Sequence, residues 1–210
     1  MFTNRFYAGQ LLAQKLLDYK SDPDVIVFGI ARGGVVVAKA IAEALQVPLD
    51  AIVVKKIGSP FQEELAIGAV GPGGVVYWDQ RLIQKLRIDK NIKNQQFEVK
   101  KLERQQKEKL LRGNKRYTSL EGKVVLLVDD GVATGATAMV AVKFLQKKKA
   151  KKIVLVTPVI ARETLLKLKR YFRDVVYLEV PRDFLAVGQF YENFPQVSDE
   201  EVISILKDNR

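Results

Sequence analysis

The 210-residue sequence contains no cysteine and no histidine. Without cysteine the chain can form no disulfide, no thiolate nucleophile and no cysteine-ligated zinc site. Without histidine it lacks the usual general base near neutral pH and the commonest ligand of transition metals. Serine–histidine and cysteine–histidine catalysis are therefore excluded, and any chemistry must rely on carboxylates, basic side chains and backbone groups.

Long apolar runs are absent as well. No segment approaches the roughly 20 apolar residues that span a bilayer, and residues 1–7 contain no apolar core of signal-peptide length. We therefore expect a cytoplasmic protein with no membrane partner. What the chain does have is charge: 35 Lys and Arg against 24 Asp and Glu give a formal net charge of +11, which favours anionic ligands.

Apolar runs of strand length alternate with helical patterns along the whole chain. In chain order the patterns predict helix 7–19, strand 25–30, helix 34–46, strand 51–56, a hairpin at 67–78, charged helices at 80–88 and 91–112, strand 123–128, helix 135–147, strand 152–157, helix 161–170 and strand 174–180. This alternation predicts an α/β fold with a doubly wound parallel sheet flanked by helices. A hydrophobic content of 48% is ample for one core, so we expect a single domain over residues 1–210.

The most informative segment follows the apolar run 124–128. Asp129 and Asp130 stand at the end of that run, where open α/β sheets bind their ligands. Vicinal ribose hydroxyls are paired donors, and two adjacent carboxylates can accept from them directly or through Mg²⁺. Residues 133–137 are small or carry hydroxyls, and they open a helix whose free N–H groups favour a phosphate. The segment therefore predicts a site for a sugar that carries a phosphate.

A second loop of this kind follows the apolar run 25–30. Ala31-Arg32-Gly33-Gly34 combines glycines, which allow close backbone approach, with an arginine that supplies fixed donors to an anion. Nucleotide-triphosphate and dinucleotide binding are the rival interpretations. Val35 stands where a P-loop needs lysine, Gly29-Ile30-Ala31 breaks the dinucleotide glycine pattern, and Asp50 precedes its strand instead of following it.

Together these residues resemble the 5-phosphoribosyl 1-pyrophosphate (PRPP) signature of the type I phosphoribosyltransferases. The resemblance implies that Asp129 and Asp130 hold the ribose hydroxyls and a Mg²⁺ cofactor. It assigns the 5′-phosphate to Ala133, Thr134, Gly135, Ala136 and Thr137, and the pyrophosphate to Ala31, Arg32, Gly33, Gly34 and Lys56. The catalytic residues would be Asp129, Asp130, Arg32 and Lys56, and the peptide Ala31–Arg32 is one where we expect a cis bond.

Lys55 and Lys56 both follow the second apolar strand. Alternate residues of a strand face opposite sides, so only one of them can point into the site. We choose Lys56, although the phase of the strand is not fixed by the sequence.

Three further segments complete the expected organisation. Residues 57–78, rich in glycine and proline and including Glu63 and Glu64, form a flap and hairpin that by resemblance closes over PRPP. Residues 79–117 form a charged helical insertion: a solvated helix, a dimer arm or a nucleic-acid surface. Its sparse apolar residues predict one narrow stripe, made of Phe97, Val99, Leu102, Leu110 and Leu111.

Residues 181–210 form a hood and a closing helix in this interpretation. The hood is rich in aromatic rings and loosely resembles that of the hypoxanthine-guanine enzymes, which implies base binding by Phe184, Val187, Phe190 and Tyr191. Two positions depart from that subfamily. Ala133 replaces the aspartate that handles the proton of the purine, and Gly131 replaces a bulkier apolar residue.

The expected reaction is transfer of the 5-phosphoribosyl group from PRPP to a nitrogen heterocycle with release of pyrophosphate. A purine-like base in nucleotide salvage is favoured. Two other hypotheses stay open: a PRPP-sensing regulator that binds nucleic acid through the basic helices, and a transferase whose acceptor is not a nucleobase. PRPP and a small acceptor are the expected partners, and a homodimer would fit the family.

Overall fold

The computed structural model describes residues 1–62 and 65–208. The flap residues Glu63 and Glu64 and the last two residues of the predicted closing segment lie outside the described part. Within it, the strands are β1 (Val25–Ile30), β2 (Leu49–Ile52), β3 (Lys55–Gly58), β4 (Ala66–Val70), β5 (Val76–Trp78), β6 (Val124–Val128), β7 (Lys152–Val159) and β8 (Asp174–Glu179). The helices are α1 (Arg5–Gln14), α2 (Gly33–Leu45), α3 (Gln80–Lys85), α4 (Lys90–Arg112), α5 (Ala136–Lys147), α6 (Arg162–Leu168) and α7 (Asp199–Asp208).

The main sheet is fully parallel, with the strand order β2-β1-β6-β7-β8. From β1 the chain runs outward to β2, and it then returns to place β6, β7 and β8 on the other side. The switch point therefore lies between β1 and β6, the position where such sheets bind ligands. The predicted doubly wound α/β fold is confirmed.

Helices cover both faces of this sheet. Successive side chains of β6 alternate between two cores: Val125 and Leu127 pack with residues of α5 and α6, whereas Leu126 and Val128 pack with residues of α1, α2 and α7. Burial on both faces explains why the strands are apolar runs without a polar alternation. The described residues include no helix long and apolar enough to cross a membrane.

A second, antiparallel sheet of order β3-β4-β5 stands beside the main one. It has a small core of its own, formed by Ile57, Ile67, Val70, Ile83 and Ile88, with side chains of α4 packed against it. The single predicted strand 51–56 is wrong in this respect. The chain leaves the parallel sheet after β2 and enters the antiparallel sheet at β3, and only Val53 and Val54 lie between the two strands.

The helix boundaries also differ from the predictions. Helix α1 begins before the predicted residue 7, because the side chain of Asn4 accepts a hydrogen bond from the N–H of Tyr7 and caps the first turn. Aspartates cap the two helices of the insertion: Asp79 precedes α3 and Asp89 precedes α4.

The predicted single apolar stripe on the insertion is wrong. Leu111 is buried and Phe97 packs against the small core, but Val99, Leu102 and Leu110 are 47%, 57% and 54% exposed. The side chains that α4 buries instead include two arginines, Arg104 and Arg112. Hydrophobic spacing does not predict the buried face of α4, because part of that face consists of arginines in ion pairs.

Candidate functional site

The two glycine-bearing loops meet at the switch point of the sheet. Strands β1 and β6 are hydrogen-bonded neighbours, with Gly29 paired to Val128, so the loops that follow them leave the sheet side by side. A side chain at Gly34 would place its Cβ 2.6 Å from the carbonyl oxygen of Val128 and 3.0 Å from the Cα of Asp129. At Gly33 a Cβ would overlap the carboxylate of Asp130. Glycine is therefore needed at both positions for close approach of the loops.

The first loop holds Arg32 at the start of α2. The Ala31–Arg32 peptide is cis, as expected, and the N–H of Ala31 donates to the carbonyl of Ile52 over 3.0 Å. The Arg32 guanidinium lies 3.5 Å from Asp199 of α7, and its side chain is 31% exposed. Because the Arg32 side chain is partly exposed, its guanidinium can turn toward an anionic ligand and lose little contact with water.

Asp129 is the buried member of the acidic pair. Its Oδ1 accepts a hydrogen bond from the N–H of Asp130 over 3.0 Å, and its Oδ2 accepts from the hydroxyl of Thr137 over 3.3 Å. Burial, and secondly the neighbouring charge of Asp130, raise the pKa of Asp129 well above its ordinary value. Binding of a cation here would relieve both effects.

Asp130 is held by a residue that the sequence analysis missed. Arg5, the first residue of α1, donates through Nε to Oδ2 of Asp130 over 2.7 Å, and both side chains are largely covered. The hydroxyl of Tyr191 donates to the carbonyl oxygen of Asp130 over 2.6 Å. The one local signal for Arg5 was a basic residue in the first turn of a helix, where the helix dipole disfavours it.

Lys55 and Lys56, the first two residues of β3, interact with different carboxylates. Lys55 lies 3.7 Å from Glu103 of α4. Lys56 lies close enough to Asp129 for its positive charge to oppose the rise in the pKa of that carboxyl. Of the two lysines, Lys56 is thus the one whose charge acts on Asp129.

The second loop turns sharply into α5. Gly135 is the N-cap residue with φ of 75°, a left-handed conformation that suits glycine, and it offers no side chain to cap the helix. The hydroxyl of Thr164 donates to the carbonyl of Ala133, which ties the loop to α6. The start of α5 therefore has no side-chain cap and Thr134 beside it is exposed, which is the kind of helix start that can accept an anion.

Two of the four predicted base-binding residues of the hood are almost fully buried. Phe190 and Tyr191 are only 8% and 5% exposed, and they pack in a cluster with Phe2 and Val159. Burial also raises the pKa of Tyr191, so its hydroxyl stays protonated as a donor.

Phe184 and Val187 are the predicted hood residues that keep partial exposure. The side chain of Val187 fills the space where a Cβ of Gly131 would lie, which accounts for glycine at that position. A cavity of about 370 Å³ opens beside the hood, lined by Arg5, Arg32, Gly33 and residues 194–197.

The described residues contain no group of three or more carboxylates that could hold a metal ion by themselves. Asp129 and Asp130 remain a donor set that fits Mg²⁺, because Mg²⁺ in such sites uses one or two carboxylates and takes its other ligands from substrate phosphates and water.

Comparisons with known proteins agree with this geometry. Residues 5–195 match the sequence profile of the family described as Phosphoribosyl transferase domain. Two proteins of Mycobacterium tuberculosis, from strains CDC 1551 / Oshkosh and ATCC 25618 / H37Rv, carry provisional phosphoribosyl transferase names. Each is 39% identical over 206 residues, which cover 98% of this chain and 46% of the relative. The chain thus spans less than half the length of these relatives.

Two solved structures are similar in fold. TT1426 from Thermus thermophilus shares 35% identity with a TM-score of 0.80, and the match covers 100% of this chain and 99% of TT1426. AQ2163 from Aquifex aeolicus shares 16% identity with a TM-score of 0.51, covering 82% of this chain and 71% of that one. The second likeness concerns the fold alone.

Proposed function

The chain belongs to the phosphoribosyltransferase family, and we propose that it transfers the 5-phosphoribosyl group from PRPP to a nitrogen heterocycle with release of pyrophosphate. The observation that carries the proposal is the contact between the two loops at the switch point. Gly33 and Gly34 bring the loop with Arg32 directly against the acidic pair. A single ligand with a pyrophosphate at one end and a ribose at the other would bridge them.

Each part of PRPP has a matching set of groups. The 5′-phosphate would sit on residues 133–137 and the first N–H groups of α5, which no side chain of Gly135 caps. Asp129 and Asp130 would accept hydrogen bonds from the ribose hydroxyls and hold Mg²⁺. When bound, this ion would neutralise charge that develops on the leaving pyrophosphate.

The pyrophosphate would bind to residues 31–34 and Lys56. Arg32 would exchange its contact with Asp199, at 3.5 Å, for the stronger charge of the ligand. Displacement at the anomeric carbon passes through a state with glycosyl-cation character, so the chain would act mainly by positioning, by electrostatic stabilisation and by excluding water. Closure of the segment 57–78 over the site would serve that last role.

A purine-like acceptor is the favoured one. Of the four predicted base-binding residues, Phe184 and Val187 keep partial exposure and could contact a flat ring, and aromatic rings favour offset stacking. No histidine exists in the chain, and Ala133 offers no proton acceptor. Solvent, the pyrophosphate or a carboxylate of the site would then take the proton of the attacking nitrogen.

The direct test is pyrophosphate release from Mg²⁺–PRPP with a panel of purine and pyrimidine bases, compared with a blank that lacks base. We expect release with one base and its loss in the Asp129→Asn/Asp130→Asn double variant. Asp18→Asn is the matched control, since Asp18 is an exposed carboxylate outside the site. If no base causes pyrophosphate release although calorimetry still detects PRPP binding, transfer to a nucleobase would be contradicted.

That result would favour the regulator or an acceptor of another kind. A regulator is supported by one feature of the insertion: a cavity of about 530 Å³ whose lining includes Lys109, Lys115, Arg116 and Lys148. Such a basic surface can bind nucleic-acid phosphates. Retention on single-stranded or duplex nucleic acid that falls steeply with salt and is relieved by PRPP would establish this role. A panel of amines would test the non-nucleobase acceptor.

A further inference from the structure

Arg5 contacts two segments that lie far from it in sequence, at Asp130 and at residues 194–195. It is only 8% exposed. Its Nε donates to Oδ2 of Asp130 over 2.7 Å, and its Nη1 donates to the carbonyl of Pro195 over 2.8 Å. The flat face of the guanidinium lies 3.6 Å from the centre of the Phe194 ring. Two nitrogens of the Arg5 guanidinium thus donate hydrogen bonds, and one of its faces stacks on an aromatic ring.

This arrangement needs a guanidinium and not merely a positive charge. Arginine presents several donors in a rigid plane, so one side chain can bond to a carboxylate and a carbonyl at once while it stacks on a ring. A lysine ammonium is a compact charge with no flat face. It could pair with Asp130, but it could not make all three contacts in the same place.

The consequence for Asp130 is a fixed orientation. Arg5 engages Oδ2, whereas Oδ1 of Asp130 has no hydrogen bond or ion pair within residues 1–62 and 65–208. An ionised carboxylate can accept about four hydrogen bonds, so Oδ1 is left for a ligand. The close fit of Gly33 against this carboxylate and near Nε of Arg5 prevents the pair from shifting toward the first loop.

We propose that Arg5 is a positioning residue of the PRPP site, which orients the carboxylate of Asp130 so that its second oxygen accepts from a ribose hydroxyl. This role rests on the proposed function, since it assumes that Asp130 meets the ribose. Arg5 also changes the charge balance at the acidic pair. Arg5 offsets one of two adjacent negative charges in a site that must admit an anionic substrate.

The test compares PRPP with pyrophosphate, which lacks the ribose 5-phosphate part of PRPP. Binding of PRPP and of pyrophosphate is measured by calorimetry in the wild type, Arg5→Lys and Arg5→Gln, with and without Mg²⁺, because Asp130 would also hold that ion. Arg104→Lys is the matched control, because Arg104 is also buried, at 4% exposure, and pairs with Glu108 on α4 away from the loops.

We expect Arg5→Lys to weaken PRPP binding about tenfold or more, the value of a hydrogen bond to a charged group. Without Mg²⁺, pyrophosphate binding should stay within about twofold, well under the loss of one such bond. Arg5→Gln should weaken PRPP binding at least as much, and Arg104→Lys should change neither ligand. In turnover, the KM for PRPP should rise while kcat at saturation stays near the wild-type value.

Two results would overturn the inference alone. One is unchanged PRPP binding in Arg5→Lys. The other is an equal loss of PRPP and pyrophosphate binding in the absence of Mg²⁺, which would mean that Arg5 merely supports the fold. If the wild type bound neither ligand, the proposed function itself would fall, and the role of Arg5 with it.

Discussion

The buried ion pair between Asp50 and Arg112 gives a sharp prediction about stability. Arg112, at the end of α4, donates through Nε and Nη2 to the two oxygens of Asp50 in β2, over 3.0 and 2.7 Å. The Arg112 side chain is 1% exposed, and its guanidinium lies 3.5 Å from the centre of the Tyr117 ring. Burial alone would lower the pKa of Arg112, but the hydrogen bond and charge of Asp50 outweigh it and raise that pKa.

We expect Asp50→Asn to destabilise the protein severely. The change leaves a guanidinium buried without its counter-charge, which costs about 3 to 5 kcal/mol. Lys115, 3.6 Å from Asp50 and 53% exposed, cannot compensate, because it carries the same sign as Arg112. At roughly 2 to 4 °C per kcal/mol for a domain of this size, the melting temperature should fall by about 6 to 20 °C.

The assay is urea unfolding, with a double-variant cycle as the control. Asp50→Leu/Arg112→Met removes both charges and should recover most of the stability lost in either single variant, since an apolar pair of similar volume is often as stable as a buried ion pair. A loss below about 1 kcal/mol in Asp50→Asn would refute the reasoning, because this is the value of an exposed pair.

Three further predictions concern the site and its surroundings. Lys56→Gln should lower the rate of pyrophosphate release about tenfold or more, the value of one contact with a charged group. Lys55→Gln should change the rate little, since Lys55 faces Glu103, and equal losses in the two variants would contradict the assignment of Lys56. Gly34→Ala should weaken PRPP binding and cost about 1 to 3 kcal/mol of stability in chemical unfolding, because its Cβ would lie 2.6 Å from a backbone oxygen; unchanged values would exclude that steric conflict. The contact with Lys107 and the charge of Arg32 lower the pKa of Asp199, so its stabilisation is present above its ordinary value of 3.8 and is lost as pH falls through the lowered value. The difference in unfolding free energy between wild type and Asp199→Asn should therefore shrink in acid, from about 1 kcal/mol near neutral pH, and a difference independent of pH would argue against the ion pair.

Much of the site could be predicted because its signals are local. An apolar strand, two acids and a Thr-Gly loop lie within one stretch, 124–137, and the backbone geometry of such a strand-to-helix turn depends mainly on its own residues. The same holds for residues 25–34, including the expected bond at Ala31–Arg32. Alternation of strands and helices then predicted the class of sheet.

Other features depended on contacts between distant segments. The phase of Lys55 and Lys56 is set by the passage from the parallel sheet to the antiparallel one, which places Lys55 against Glu103. The insertion buries two arginines, each in an ion pair. From the sequence both would be expected at the surface, because arginine is mostly exposed and hydrophobic spacing does not predict ion pairs. The hood rings of Phe190 and Tyr191 are covered by Phe2, at the opposite end of the sequence.

The sequence by itself therefore determined the doubly wound sheet, the two glycine-bearing loops that follow β1 and β6, and the family to which the chain belongs, since each is encoded in short, contiguous patterns. Only the tertiary structure decided which charged groups face the acidic pair. Arg5 and Asp130 are 125 positions apart, and no local pattern records that α1 carries a guanidinium to the end of β6. Such pairings arise from the packing of the whole chain, because a buried charge is tolerated only where the fold supplies its partner.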